Sequence, residues 1–338
     1  MAMWQQAPAL HAPRRGNTRP SLASPSGGAG GLFLCLALCL GGCRPPPTHA
    51  PTAPPAPAVD TLAPGVVHRA IVLSNGTGVD VVDVDLTRAR VSITVATDGV
   101  GRTNGMIGGR AWTPREWLDK RHALAAANGG YFGREGSDGR KEFVGLLVQR
   151  GKVRHAAPPL YGSGGRYAHA GKFTRSAFGI TPEGVPVIAW AATEEGHPQS
   201  VRAYPSPLVR GRGAAWRVES AVGCGPRLVQ NGKLVVTDRQ ERLVSPGAAS
   251  RTFIAYDAGI GGRPRHFLLG MASGMEYRDL AKFVLRYFPQ RDGTRAGDAM
   301  CVDGGASTQL SYRAAGGAVQ SPRETGVSVP DALVIVPR

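Results

Sequence analysis

The sequence predicts an α+β fold: one large domain of mostly antiparallel sheet with a few helices. Three observations carry that expectation. Short β-branched runs split by Asn-Gly, Thr-Gly and Arg/Asp signals outnumber helical stretches by about three to one. The strand–helix alternation that builds parallel sheets does not appear. The 338 residues are 42% hydrophobic, a globular composition with length enough to bury a sizeable core.

The elements follow in chain order. Residues 66–73, 79–84 and 91–96 read as antiparallel strands. Thr113-Pro114-Arg115-Glu116 opens a helix, with Thr as N-cap, Pro at the first helical position and Glu three residues on completing a capping box. That helix runs to 121 or 122. Residues 123–127 form a buried small-residue strand that stops at Asn128-Gly129-Gly130. Strands at 144–149 and 227–230 each precede a Gly turn. A second helix covers 275–288, because Tyr277, Leu280, Ala281, Val284 and Phe288 follow helical spacing. Residues 300–302 and 332–336 close the domain as strands.

The N-terminal region carries an address. Residues 31–42 are an apolar run of about a dozen residues, too short to span a bilayer that needs about 20. They follow a basic, Pro/Ser/Gly-rich leader, the arrangement of a signal peptide over 1–42. Leu40-Gly41-Gly42-Cys43 resembles a bacterial lipobox, which makes Cys43 the acylated residue. Residues 43–64 then read as a Pro/Ala/Thr tether that cannot bury enough surface to order itself. The folded domain is expected at 65–338, at the bacterial cell envelope, held to a membrane by lipid.

Charge excludes one class. Lys plus Arg total 40 against 24 acids, a net charge of +16. Removing 1–42 takes away Arg14, Arg15 and Arg19 and leaves +13. That attracts anionic polymers or membranes, but the basic residues alternate with acids and aromatics are 7%, so no nucleic-acid stripe is present. The eight His lack metal-ligand spacing, and no zinc and no cofactor are expected. Structural calcium on loop oxygens, Asp138 among them, stays open. Cys224 and Cys301 remain after export in a compartment that permits disulfides. Their pairing is the working expectation, and two buried free thiols are the alternative.

Four polar loops each follow a short apolar strand. They are Asn128-Gly129-Gly130-Tyr131-Phe132, Gly223-Cys224-Gly225-Pro226, Ser250-Arg251-Thr252 and Asp303-Gly304-Gly305-Ala306-Ser307-Thr308. Glycines at strand ends let the backbone bend tightly and approach a ligand. The ordered set resembles the phosphodiester glycosidase family over roughly 124–336. Tyr131, Cys224 and Ala306 depart from its motifs, and Ser321-Pro322-Arg323 and Pro330-Asp331 depart from its C-terminal pattern.

The resemblance implies hydrolysis of a sugar-1-phosphodiester at the glycosidic bond, in envelope or exopolysaccharide glycans. Such a reaction wants a carboxylate for the charge that develops at the anomeric carbon and a guanidinium for the phosphate. On this reading Asp303 is the carboxylate, Arg251 the phosphate clamp and Glu142 a second carboxylate. Asn128 binds a sugar hydroxyl or acetamido group. Thr252, Ser307 and Thr308 supply hydroxyls, and the Gly129–Gly130 and Gly304–Gly305 backbones line the site. Convergence of these loops also brings Cys224 and Cys301 toward bonding distance. The competing reading is a non-catalytic envelope lipoprotein that binds an anionic glycan.

Overall fold

In the computed structural model, Ala53–Arg338 form one unit, and the structure describes residues 58–163, 170–243 and 247–338. The expected signal peptide, the lipobox at Cys43 and most of the tether lie outside the described residues. The tether's last residues do not behave as tether. Ala58–Ala63 is a strand paired antiparallel with Val66–Val72, because Leu62 drops into the core. Order therefore begins earlier than residue 65.

Strands prevail more completely than the α+β expectation allowed. The described residues hold two α-helices, α1 (Pro114–Lys120) and α2 (Tyr277–Asp292), among antiparallel sheets of eight, seven, five, four and two strands. The fold is mostly β. The excess comes from strands such as His266–Met275 and Pro186–Glu194, whose glycines and alanines hid them in the sequence. At Gly270 an added Cβ would lie 2.4 Å from the Phe253 ring, so a featureless residue is what lets the two central strands pack.

One core joins three sheets. Val82, Ile254, Phe267 and Leu269 of the eight-stranded sheet meet Ile93, Ala127 and Leu333 of the five-stranded sheet and Phe178 and Val222 of the seven-stranded one. Alternation along Gly78–Asp85 sends Val82 and Val84 into that core and Val79 and Val81 to the opposite face. There α2 lies, burying Leu280, Ala281, Val284 and Phe288. It starts two residues later than its spacing predicts, since Met275 still belongs to a strand. It also continues through Pro289 to a left-handed Gly293 cap. On the five-stranded sheet α1 packs Trp117 and Leu118 onto Ala126 and Val334, opened by the predicted Thr113/Glu116 capping box. No helix of the described residues is long and apolar enough to cross a membrane.

Phe288 is fully buried between α2 and the central sheet. Phe288→Ala should cost about 3–5 kcal/mol, read as a lowered urea midpoint at unchanged slope.

Candidate active site

The site is assembled around one buried amide. Asn128 ends the fully buried strand Ala125–Asn128. Its Nδ2 donates to the carbonyl of Asp303 at 2.7 Å. Its Oδ1 accepts from the Thr252 hydroxyl at 2.7 Å and from the N–H of Gln309 at 3.1 Å. Main-chain bonds run beside these: Asp303 N–H to Gly129 carbonyl at 3.0 Å, and Val302 N–H to Thr252 carbonyl at 3.0 Å. Three of the four polar loops are thereby tied at one point.

Asp303 is half-buried on the loop between the strand Ala296–Cys301 and the 3-10 turn Gly305–Ser307. Its Oδ1 accepts the N–H of Gly304 at 2.9 Å. Burial pushes its pKa up to about 6, with the Ser307 and Gly304 hydrogen bonds only partly offsetting the loss of water. Asp331 lies beneath the neighbouring turn, and its Oδ1 accepts the N–H of Gly130 at 2.7 Å. Burial raises it to about 7, opposed by that hydrogen bond and reinforced by the Asp303 charge. Both carboxyls thus hold protons above the ordinary aspartate range, and the Asp303 charge adds to the rise at Asp331.

The Asn-Gly-Gly motif exists to admit Asp331. A Cβ on Gly129 would sit 1.9 Å from Asp331 Oδ1, and one on Gly130 would sit 2.8 Å from the Val222 side chain. Gly145 meets the Gly223 carbonyl in the same way, at 2.1 Å. Sequence reasoning took Asp331 only as a departure from a motif. The signal it offered was an acid at the head of an apolar strand, Asp331–Pro337.

Other predicted residues fall differently from their expected roles. Asn128, Thr252 and Thr308 have no exposed surface, so none reaches a sugar from where it stands. The first two are cross-links; the Thr308 hydroxyl has no hydrogen-bond partner among the described residues. Arg251 is buried with two of its nitrogens engaged: Nε donates to Met275 carbonyl at 3.1 Å, a terminal nitrogen to Gly247 carbonyl at 2.6 Å, and the guanidinium stacks 3.8 Å over Tyr277. Those contacts brace a loop. The Gly304 N–H is taken by Asp303 itself, and Gly305 opens the 3-10 turn. Ser307 stays on Asp303. Glu142 stands on the strand Arg140–Phe143 against Gly133, outside the hydrogen-bond network of Asp303. Asp138 is spent on Arg140 and Thr103, and no group of three or more His, Cys, Asp or Glu suited to a metal occurs among the described residues.

The expected disulfide is not made. Cys224 and Cys301 are free, buried thiols. Their backbones are close, since Gly225 N–H donates to the Cys301 carbonyl at 3.2 Å. Their side chains part company: Cys224 packs in the three-sheet core and Cys301 beneath α2. Burial pushes the Cys301 thiol up to about 12 and Cys224 well above its usual value, so neither is a ready nucleophile.

Tyr131, noted in the sequence only as a departure from a motif, and Glu241, not singled out there, complete the surroundings. Tyr131 donates its hydroxyl to the Gly225 carbonyl at 2.8 Å, with its pKa raised by burial and by the neighbouring Cys224, Tyr277 and Asp303. Glu241 is fully buried under the Gly225 turn. It accepts from Ser176 N–H and Oγ, Trp190 Nε1, Arg227 N–H and Thr237 Oγ1 at 2.5–3.1 Å.

The Gly-rich loops of a mostly antiparallel fold thus converge on an aspartate pair whose pKa values burial raises. The chain belongs to the phosphodiester glycosidase family, whose model matches residues 121–336. A hypothetical protein from Synechocystis shares the fold with a TM-score of 0.50 at 17% identity; the alignment covers 84% of this chain and 64% of that one. The zebrafish N-acetylglucosamine-1-phosphodiester α-N-acetylglucosaminidase catalytic domain, auto-inhibited by its pro-peptide, aligns at 17% identity with a TM-score of 0.48, over 82% of this chain and 83% of that one. No curated protein matches the sequence.

Two outcomes are expected. Asn128→Ala strands the Thr252 hydroxyl and the Gln309 N–H without their acceptor, and should cost about 2–4 kcal/mol by denaturant titration. Asp331 holds its proton more tightly folded, at about 7, than at its ordinary 3.8. Its contribution to stability is therefore complete below that ordinary value and lost as pH rises through 7. Asp331→Asn should flatten the decline in melting temperature between pH 4 and 8; an unchanged decline would remove Asp331 from the pH dependence.

Proposed function

We propose that this chain is an exported, lipid-anchored hydrolase that cleaves a sugar-1-phosphodiester in envelope or exopolysaccharide glycans, N-acetylglucosamine-1-phosphodiesters being the first class to test. Family membership supports the reaction class. The observation that carries the site is Asp303, half-buried at the junction of three loops with a pKa of about 6. Lipidation at Cys43 rests on the lipobox-like sequence, and the basic charge suits an anionic glycan.

Asp303 acts in its ionised form at the anomeric carbon, as nucleophile or as base for water. The bond from C1 to the phosphate oxygen breaks and its electron pair leaves with the phosphate. Water supplies the hydroxyl that replaces it. The products are a free sugar and a phosphomonoester. A phosphate leaving group is a weak base, so little help from a general acid is needed. Asp331 shapes the site from below by fixing the Gly130 N–H and keeping its own proton near neutral pH.

The full-length protein, incubated with UDP-N-acetylglucosamine and a panel of sugar-1-phosphodiesters, should free reducing sugar. Release should climb as pH passes 6 and Asp303 ionises. Asp303→Asn should lower it by at least about a hundredfold while the melting temperature holds. Full activity in that folded variant would contradict the assignment.

A further inference from the structure

Arg251, the guanidinium expected from sequence, already gives its Nε and one terminal nitrogen to main-chain carbonyls. A different guanidinium has the required freedom. Arg175 begins the strand Arg175–Ile180, the neighbour of Ser220–Gly223, and its Cζ lies 5.5 Å from the ring centroid of Tyr131. No hydrogen bond or ion pair holds that guanidinium among the described residues, and its Nε is buried without a partner. A buried, unpaired guanidinium donor is costly unless something else occupies it. Two other arginines of the fold meet acids directly: Arg227 pairs with Asp298 at 2.7 Å and Arg291 with Asp83.

Arg175 also faces space. A cavity of about 120 Å³ is lined by Arg175 with Val144, Gly145, Ser176, Pro158 and Gly223. Its Gly223 wall adjoins the turn at Gly130. The Gly223 carbonyl, against which Gly145 is pressed, lies 3.1 Å from where a Gly130 Cβ would stand, and Gly130 carries the hydrogen bond to Asp331. Arg175 and Asp303 both bear on the Tyr131 hydroxyl and the Cys224 thiol, with opposite sign. The cation and the proposed catalytic carboxylate thus flank the same two side chains, one from the start of a strand and the other from a loop.

We propose that Arg175 is the anion-binding residue of this site, its guanidinium fork receiving the phosphate oxygens of the substrate in the cavity beside Gly145 and Gly223. The assignment rests on the reading of the site as one that takes a phosphodiester. It explains why Arg175 is left without a protein partner: two parallel N–H donors suit two phosphate oxygens. Tyr131 backs the guanidinium with its ring face while its hydroxyl stays on Gly225.

Binding can be read apart from turnover. Inorganic phosphate and UDP-N-acetylglucosamine are titrated calorimetrically into the full chain carrying Asp303→Asn, with and without Arg175→Gln. Arg175→Gln should weaken both ligands by about tenfold or more with an unaltered melting temperature. Arg175→Lys, which keeps the stem and charge but not the fork, should lose affinity by a smaller factor. Phosphate affinity equal to that of the parent in a folded variant of either kind overturns the assignment, as does a parent that binds neither ligand. Phosphate binding lost with Arg175, in a protein whose wild type frees no sugar from any diester, would uphold the anion site and retire the glycosidase reading.

Discussion

The amide of Asn128 is the constraint on which the site depends. It is fully buried, and it joins strands from two different sheets to the loop that carries Asp303. An amide suits this position because it donates and accepts in one plane. A carboxylate would accept only, leaving the Asp303 carbonyl unanswered and a charge in the core. The loops beyond the knot are then free to carry chemistry, since their position no longer depends on their own sequence.

Burial does the electrostatic work. Asp303 and Asp331 are raised mainly by loss of water, and neither has an arginine or lysine among the causes of its shift. Glu241, fully buried, is enclosed by five donors from four residues' side chains and backbone, and it anchors the turn at Gly225. The aspartates have fewer donors, the Gly304 N–H and Ser307 on Asp303 and the Gly130 N–H on Asp331. They retain proton affinity near neutral pH, the property expected of a working site.

Much of this was legible in the sequence. The Thr113/Glu116 capping box, the strands about 66–73 and 79–84 and the buried run ending at Asn128 appear where local signals put them. These signals are local, and so survive in a one-dimensional reading. The Gly-rich loops were recognised as a set, and Asn128, Thr252 and Asp303 do meet. Their division of labour was not legible, because burial decides it: the same amide and hydroxyl bind a sugar at a surface and lock a core when enclosed. Asp331 was hidden by long-range proximity, lying about two hundred residues from the glycine it serves. The cysteines misled for a related reason. Convergence of their loops suggested a bridge, but the Cys224 side chain turns into the three-sheet core and that of Cys301 into the core beneath α2.

Converging loops hold two aspartates with proton affinities raised by burial. Carboxyl carbon chemical shifts of Asp303 and Asp331, assigned by comparison with Asp303→Asn and Asp331→Asn, test this directly across pH 3 to 9. Apparent pKa values near 6 and 7 are expected, with the Asp331 value falling when Asp303 is replaced. Titration of both carboxyls near the ordinary aspartate value, with no dependence of one on the other, would contradict this expectation.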